Sequence, residues 1–210
     1  MRHDDRALLD AWGKGDRSAG NNFVARHFDA IYNFFAFKIA EDVSDLVQRT
    51  FLGCLEGLPR FRGDCAPRTF LFSIARYELY GHFRKTKRDA SYNVLTSSLR
   101  DLGPSPTSVL GRRDTAAALV SALESIPLEL QVLLELRFWE GMTGPELAVV
   151  LDIPVGTVAS RTRRALTLLR ERLQTGNLSE KLPLDDPGLA DWVQARSPYE
   201  ALLQKKPSGS

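Results

Sequence analysis

The sequence predicts an all-α protein made of two small helical domains joined by a flexible linker. Apolar residues recur at helical spacing along most of the 210 residues, and no alternation typical of strands persists. A polar, serine-rich stretch from Asp89 to Pro104 interrupts the helical pattern. We therefore expect a first domain in residues 1–90, a linker in 91–105, a second domain in 106–175 and a tail in 176–210.

Charge and composition narrow the class of protein. The net charge is only +2, but residues 60–88 carry eight basic side chains against Asp64 and Glu78, which favours contact with a polyanion. The two cysteines and three histidines show no metal-ligand spacing, so we expect no metal and no cofactor. No apolar run approaches the roughly 18 residues that span a bilayer, and the polar N-terminus lacks a signal-peptide core. These features predict a cytoplasmic protein without membrane insertion.

Helical periodicity places four helices in the first domain. The predicted helices are Asp5–Gly15, Asn22–Ala40, Val43–Leu58 and one that Pro67 opens. His27 lies on the apolar stripe of the second helix, where a core or rim histidine is favoured over a ligand. Cys54 lies on the stripe of the third, which favours a small core side chain over a catalytic nucleophile.

Two polar helix faces in this domain are candidate binding surfaces. The third helix shows Asp45, Gln48 and Arg49 opposite its apolar stripe, and a solvated face is the default interpretation. The surface predicted for the fourth helix consists of Arg68, Phe72, Arg76, Tyr80 and Arg84. Arginines interleaved with aromatic rings suit single-stranded nucleic acid, because bases stack on the rings. A charged face with additional core aromatics explains the same pattern equally well.

Two helices open the second domain. They run from Ser105 to about Ser125 and from Leu128 to Trp139, and Ile126-Pro127 separates them. Ser105-Pro106 is an N-cap followed by a first-turn proline, and Gly141 ends the second helix. Residues 142–172 follow, and their pattern is the one that best indicates a function.

This stretch is predicted to form a helix-turn-helix. Thr143 and Glu146 form a capping box at its first helix, and the residue before Pro154 stops that helix. The second helix is expected to bury Val155 and Val158. Its outward residues are Thr157, Ser160, Arg161 and Arg164, with Arg163 beside them. Such donors suit a DNA major groove, whereas two core helices of a bundle would leave this row unexplained.

Several motifs in one order resemble an extracytoplasmic-function sigma factor of bacterial RNA polymerase. They are Asp45–Phe51, Leu58–Asp64, Arg68–Arg76, Ile126-Pro127, Glu140-Gly141 and Ile153–Val158 followed by Ser160-Arg161. The resemblance covers about residues 5–175. It implies a non-enzymatic initiation factor whose partners are core RNA polymerase, promoter DNA and an anti-sigma factor. Residues 1–90 then resemble the sigma-2 domain, which opens the minus-ten element, and 106–175 the sigma-4 domain, which reads the minus-thirty-five element.

The resemblance also implies roles for single residues. Polymerase binding falls to Asp45, Gln48 and Arg49. The minus-ten set is Arg60, Phe61, Arg62, Arg68, Phe72, Arg76, Tyr80 and Arg84. The minus-thirty-five set is Thr157, Ser160, Arg161, Arg163 and Arg164. Within that last set we expect Arg161 to read a guanine and Arg164 to hold the backbone.

The chain departs from the family pattern at a few positions. Tyr77, Tyr80 and Gly81 stand where an asparagine and an aspartate are usual, and Ala159 stands where lysine is common. Asp152 occupies the turn where glycine is frequent, so a non-glycine residue has to adopt the left-handed conformation. Aspartate tolerates that conformation better than most residues.

Two other classes of protein compete with this interpretation. A free-standing dimeric DNA-binding regulator needs a self-complementary interface, and the basic, aromatic segment 60–88 is a poor one. An enzyme using Cys65 with His82 lacks a group that would orient the base.

In the tail, Trp192, Tyr199 and Leu202 are costly to expose, which favours a regulatory segment over a disordered one.

Overall fold

The computed structural model describes residues 2–92 and 119–174, and within these ranges the chain is all-α, as predicted. The helices are α1 (Arg2–Gly13), α2 (Arg17–Ala36), α3 (Ser44–Gly57), α4 (Pro67–Tyr92), α5 (described over 119–124), α6 (Leu128–Phe138), α7 (Gly144–Leu151) and α8 (Val155–Gln174). A 3-10 turn, Leu58–Arg60, follows α3. Most of the predicted linker, the predicted tail and the start of the helix from Ser105 lie outside the described residues.

The first half of the chain contains α1 to α4, and aromatic side chains dominate its core. α1 packs on α2 and α3 packs on α4, around the fully buried Phe23, Phe34 and Phe35 of α2. α2 begins earlier than predicted, because the carboxylate of Asp16 caps it by accepting hydrogen bonds from the backbone of the following turn. It also ends earlier, at Ala36, so the prediction for this helix was displaced by one turn at each end.

The fourth helix is longer than the sequence indicates. Pro67 is its first residue, as predicted, but the helix continues to Tyr92, past the expected start of the linker at residue 91. Polar composition alone does not end a helix, since charged residues propagate it well.

The second half contains α5 to α8 and confirms the predicted helix-turn-helix. The Glu146 carboxylate accepts a hydrogen bond from the backbone N–H of Thr143 at 2.8 Å, which completes the capping box. Asp152 adopts φ 53° and ψ 53°, the left-handed conformation that the turn requires. Leu147, Ala148 and Leu151 bury the apolar face of α7.

The two halves pack against one another. α4 of the first half contacts α7 of the second, and buried apolar side chains continue from one half to the other. The contact covers part of α4, the helix that carries several of the predicted site residues.

Candidate nucleic-acid interface

The outward face of α8 carries the residues predicted to bind duplex DNA. Ser160, Arg163 and Arg164 are exposed, and Thr157 is half-buried. The opposite face packs into the core through Val158, Ala165 and Leu169. The structure thus brings the predicted polar residues together on one accessible side of a single helix.

Val155 does not follow the prediction for this helix. Its side chain is 55% exposed, although it lies on the same side as the buried Val158. A helical side chain leans back over the preceding turn. Because Val155 is the first residue of α8, no preceding turn lies beneath it.

An acid of α6 lies near Arg161. The Arg161 Nη1 atom lies 3.8 Å from Oε2 of Glu129 in α6, and both side chains are substantially exposed. The Glu146 carboxylate is not this acid, because it caps α7. A long, solvent-exposed ion pair contributes little to stability. Arg161 is therefore able to leave Glu129 for another acceptor.

Phe72 was predicted wrongly as a surface residue of α4. It is fully buried and meets Phe34 edge-on, with ring centroids 5.6 Å apart. α4 contacts α3, α2 and α7, so more than one side of this helix is covered. A single apolar stripe underestimates the buried surface of a helix in that position.

The remaining α4 residues form a line of arginine and tyrosine side chains. The Arg76 guanidinium lies 5.0 Å from the centre of the half-buried Tyr80 ring, and that of Arg84 lies 6.0 Å from the Tyr77 ring. Tyr77 is 67% exposed, which makes it the more accessible ring of the two. Sequence reasoning left Tyr77 out of the site. Its spacing of seven residues, or two helical turns, from Arg84 was the available signal.

The loop before α4 is tied to the first helix. Phe61 stacks on Phe70 with ring centroids 4.7 Å apart, and its other neighbour is Arg6 of α1. Arg6 also donates a hydrogen bond of 3.2 Å to the carbonyl oxygen of Gly63. Arg60 and Arg62 are exposed. Sequence reasoning missed Arg6, because nothing in α1 indicates a partner 57 residues away.

Arg68 is engaged by the second half of the chain. Its guanidinium pairs with the Glu140 carboxylate and donates a 2.6 Å hydrogen bond to the Glu140 carbonyl oxygen. Glu140 is buried. In this arrangement the partly exposed Arg68 side chain is tied to the second half of the chain.

The predicted polymerase face on α3 is exposed. Asp45, Gln48 and Arg49 all face solvent. Arg49 lies 3.1 Å from Asp45 on the same face and 3.5 Å from Glu78 of α4. Leu52 and Leu55 are also exposed on α3. The face is therefore more apolar than the sequence suggested.

Cys54 and His27 are buried side chains, in agreement with the sequence prediction. Cys54 is fully buried, and burial raises its pKa to about 12, so its thiol is a poor nucleophile. His27 is buried beside Asp5, and burial lowers its pKa despite that carboxylate.

Over the described ranges, no group of three or more potential ligands is placed to hold a metal ion. Within those same ranges, no helix has both the length and the apolar character needed to cross a bilayer.

Comparison with known families gives two matches. Residues 23–89 match the family described as Sigma-70 region 2, and residues 116–169 match the one described as Sigma-70, region 4. The first match contains the α4 face, and the second contains the helix-turn-helix.

Individual relatives agree with these matches. The ECF RNA polymerase sigma-E factor of Haemophilus influenzae is 26% identical over 181 residues, which cover 81% of this chain and 95% of that protein. The structure of CnrH in complex with the cytosolic domain of CnrY has a TM-score of 0.60 at 27% identity and covers 82% of this chain and 98% of that one. The sigma factor RpoE of Bartonella quintana, solved with the anti-sigma factor NepR, shares the fold with a TM-score of 0.57 at 23% identity, over 73% and 96% of the two chains.

Proposed function

The chain belongs to the sigma-70 family as a sigma factor of the extracytoplasmic-function type, and we propose that it directs core RNA polymerase to specific promoters and aids their melting. Sigma factors are initiation factors without catalytic activity. The observation that carries the proposal is the basic outward face of α8, on a helix-turn-helix within the matched region 4. As part of this proposal, the factor acts in the cytoplasm, where core polymerase meets the promoter.

For the minus-thirty-five element, α8 lies in the major groove. The positive end of α8, at its first turn, faces a phosphate, and Thr157 is a positioning residue there. The backbone N–H of Thr157 takes no part in that contact, because it donates to the carbonyl oxygen of Pro154 at 2.8 Å. Arg161 reaches a guanine in bidentate fashion, while Arg163 and Arg164 hold the phosphates on either side. The exposure of Ser160, Arg163 and Arg164 and the weak internal pairing of Arg161 support this assignment.

For the minus-ten element, the loop and the outer line of α4 act on unpaired bases. Arg60, Arg62 and Arg84 are exposed and follow the strand, and Arg76 with Tyr80 continues the same line. We add Tyr77 to this set as a stacking ring, because it is strongly exposed. Phe72 leaves the set because it is a core residue.

The partners follow from the same assignment. Asp45, Gln48 and Arg49, together with the exposed Leu52, form the proposed polymerase contact on α3. An anti-sigma factor is the proposed regulator, since the sigma factor RpoE of similar fold was solved with one. We keep the domain bounds predicted from the sequence, which are 1–90 and 106–175. The linker 91–105 lies between the two domains, and the tail 176–210 follows the second.

Run-off transcription with core polymerase tests the proposal. We expect the full chain to initiate from a selected set of promoters that core polymerase alone does not use. Arg163→Ala with Arg164→Ala should weaken promoter binding, while Lys14→Ala with Arg17→Ala, which removes two exposed cations near the start of α2, serves as the charge-matched control. Failure of the chain to associate with core polymerase would rule the proposal out.

A further inference from the structure

The loop between the 3-10 turn and α4 depends on tertiary contacts for its shape. Residues 61–66 form neither helix nor strand. In the proposed function this loop acts on unpaired bases of the promoter. A loop that becomes ordered only on binding loses conformational entropy at that step, and this loss weakens binding. The contacts that order the free loop therefore contribute to recognition.

A series of contacts supports the loop from within the first half of the chain. The Phe70 ring of α4 packs against the backbone of Gly57, where a Cβ atom would lie 2.7 Å from its Cζ atom. The Phe61 ring stacks on Phe70, with 4.7 Å between the ring centroids and 23° between the ring planes. The Arg6 guanidinium lies over the Phe61 ring, with Cζ 5.9 Å from the ring centre, within the range of a cation–π contact. The last member of the series thus comes from α1.

Arg6 also binds the backbone of the loop. Its Nη1 atom donates a hydrogen bond of 3.2 Å to the carbonyl oxygen of Gly63. Gly63 adopts φ 78°, in the left-handed region, and a Cβ atom at this residue would overlap the Arg6 guanidinium. The guanidinium therefore occupies the space in which another side chain would begin. One group holds both the aromatic side chain and the backbone of the loop.

α1 is a firm support for this group. Leu9 is buried, and the Asp5 carboxylate pairs with Arg26 and His27 of α2. Arg6 itself is exposed. A cation–π contact and a hydrogen bond at the surface contribute little to the free energy of unfolding. The position of Arg6 therefore suits control of the loop more than stabilisation of the domain.

We propose that Arg6 is a positioning residue for promoter melting, which holds the loop 61–66 in the shape that receives an unpaired base. The inference rests on the proposed function of that loop. Arg6 acts through Phe61 and Gly63 and is not itself a ligand of the DNA strand. It belongs to α1, whereas the match to Sigma-70 region 2 begins at residue 23.

Replacement of Arg6 tests the proposal in the full-length chain bound to core polymerase. On a promoter selected with the wild type, Arg6→Ala should bind the unpaired minus-ten strand roughly threefold to tenfold more weakly, because the loop then becomes ordered only on binding. The fluorescence change of 2-aminopurine in that strand should be smaller. The free energy of unfolding should stay close to that of the wild type. Arg17→Ala, an exposed arginine of α2, is the matched control and should bind normally.

Further variants separate positioning from other roles. Arg6→Lys keeps a cation and a donor and should restore most of the affinity, whereas Arg6→Met keeps the length without the charge and should not. The salt dependence of Arg6→Ala should have the wild-type slope, because no phosphate contact is lost. Gly63→Ala displaces the guanidinium and should weaken binding as well. Its combination with Arg6→Ala should be weaker by less than the product of the two losses, since both act on one contact.

Defined outcomes overturn the proposal. A folded Arg6→Ala chain that binds the unpaired strand as tightly as the wild type would do so. A salt slope lower by roughly 0.7 would make Arg6 a phosphate ligand instead. If Arg6→Ala folds poorly, equal affinities of folded Arg6→Lys and Arg6→Met would have the same consequence. A wild-type chain with core polymerase that does not bind the unpaired strand would count against the proposed function itself, whereas the other outcomes leave that function intact.

Discussion

The outer face of α8 and the outer face of α4 are both basic, but they differ in how freely they can bind. On α8 the arginines face solvent, and Glu129, which lies near Arg161, is itself exposed. On α4 the first arginine, Arg68, is bound to a buried glutamate of the other half. A surface for phosphates needs only exposed cations, whereas the surface assigned to unpaired bases is built into the packing of the molecule.

The largest effect should distinguish the two kinds of aromatic residue on α4. Phe72→Ala removes a fully buried ring and should lower the free energy of unfolding by about 3–5 kcal/mol. Tyr77→Ala should change stability little, because the ring is mostly exposed. Denaturant unfolding of both variants measures the difference. Equal stabilities would contradict the assignment of Phe72 to the core.

On α8, replacement of Arg161 and replacement of Arg164 should have different effects on DNA binding. Arg161→Ala should lose about 1–3 kcal/mol of discrimination at one base pair, and Arg164→Ala should weaken all sequences alike and lower the salt slope by roughly one. Binding-site selection and salt titration measure these effects, with the melting temperature recorded alongside. An unchanged base preference for Arg161→Ala, with a lower melting temperature, would mean that Arg161 acts within the fold.

Tyr77 provides the corresponding test on α4. Loss of a base-stacking ring should reduce affinity for an unpaired strand by roughly 1–3 kcal/mol. We therefore expect Tyr77→Ala to initiate poorly from a closed promoter and to recover on one with a pre-melted minus-ten region. Phe28→Ala, an exposed aromatic of α2, is the matched control. Equal loss on both templates would place the defect elsewhere.

The smallest expected effect is on the pH dependence of the free energy of unfolding, and it arises in the first half of the chain. Burial lowers the pKa of His27 below its usual 6.5, so the unfolded chain binds more protons than the folded one in that range. The contribution of His27 to stability is complete above pH 6.5 and is lost as the pH falls through the lower folded-state pKa. His27→Gln should reduce the slope of unfolding free energy between about pH 7 and pH 5. Residues 119–174 contain no histidine, so probes in the second half should not sense this titration directly.

What could be predicted from sequence in this protein is mostly local. The capping box of Thr143 and Glu146 spans one helical turn, and the left-handed Asp152 follows from the proline two residues later and the need to reverse the chain. The core position of Cys54 follows from a regular stripe. Each of these depends on neighbours within a few residues, so a single sequence contains the whole signal.

The tertiary structure alone decided how the helices share their faces. Phe72 is buried because α4 is covered on several sides, which the period of one helix does not reveal. The partner of Lys38 lies 97 residues away and that of Arg68 lies 72 away. Ion pairing depends on distance in space and on the exclusion of water, and neither quantity is encoded in the spacing of residues along one helix. The exposed and the buried faces of α4 therefore became distinguishable only when the helices were packed together.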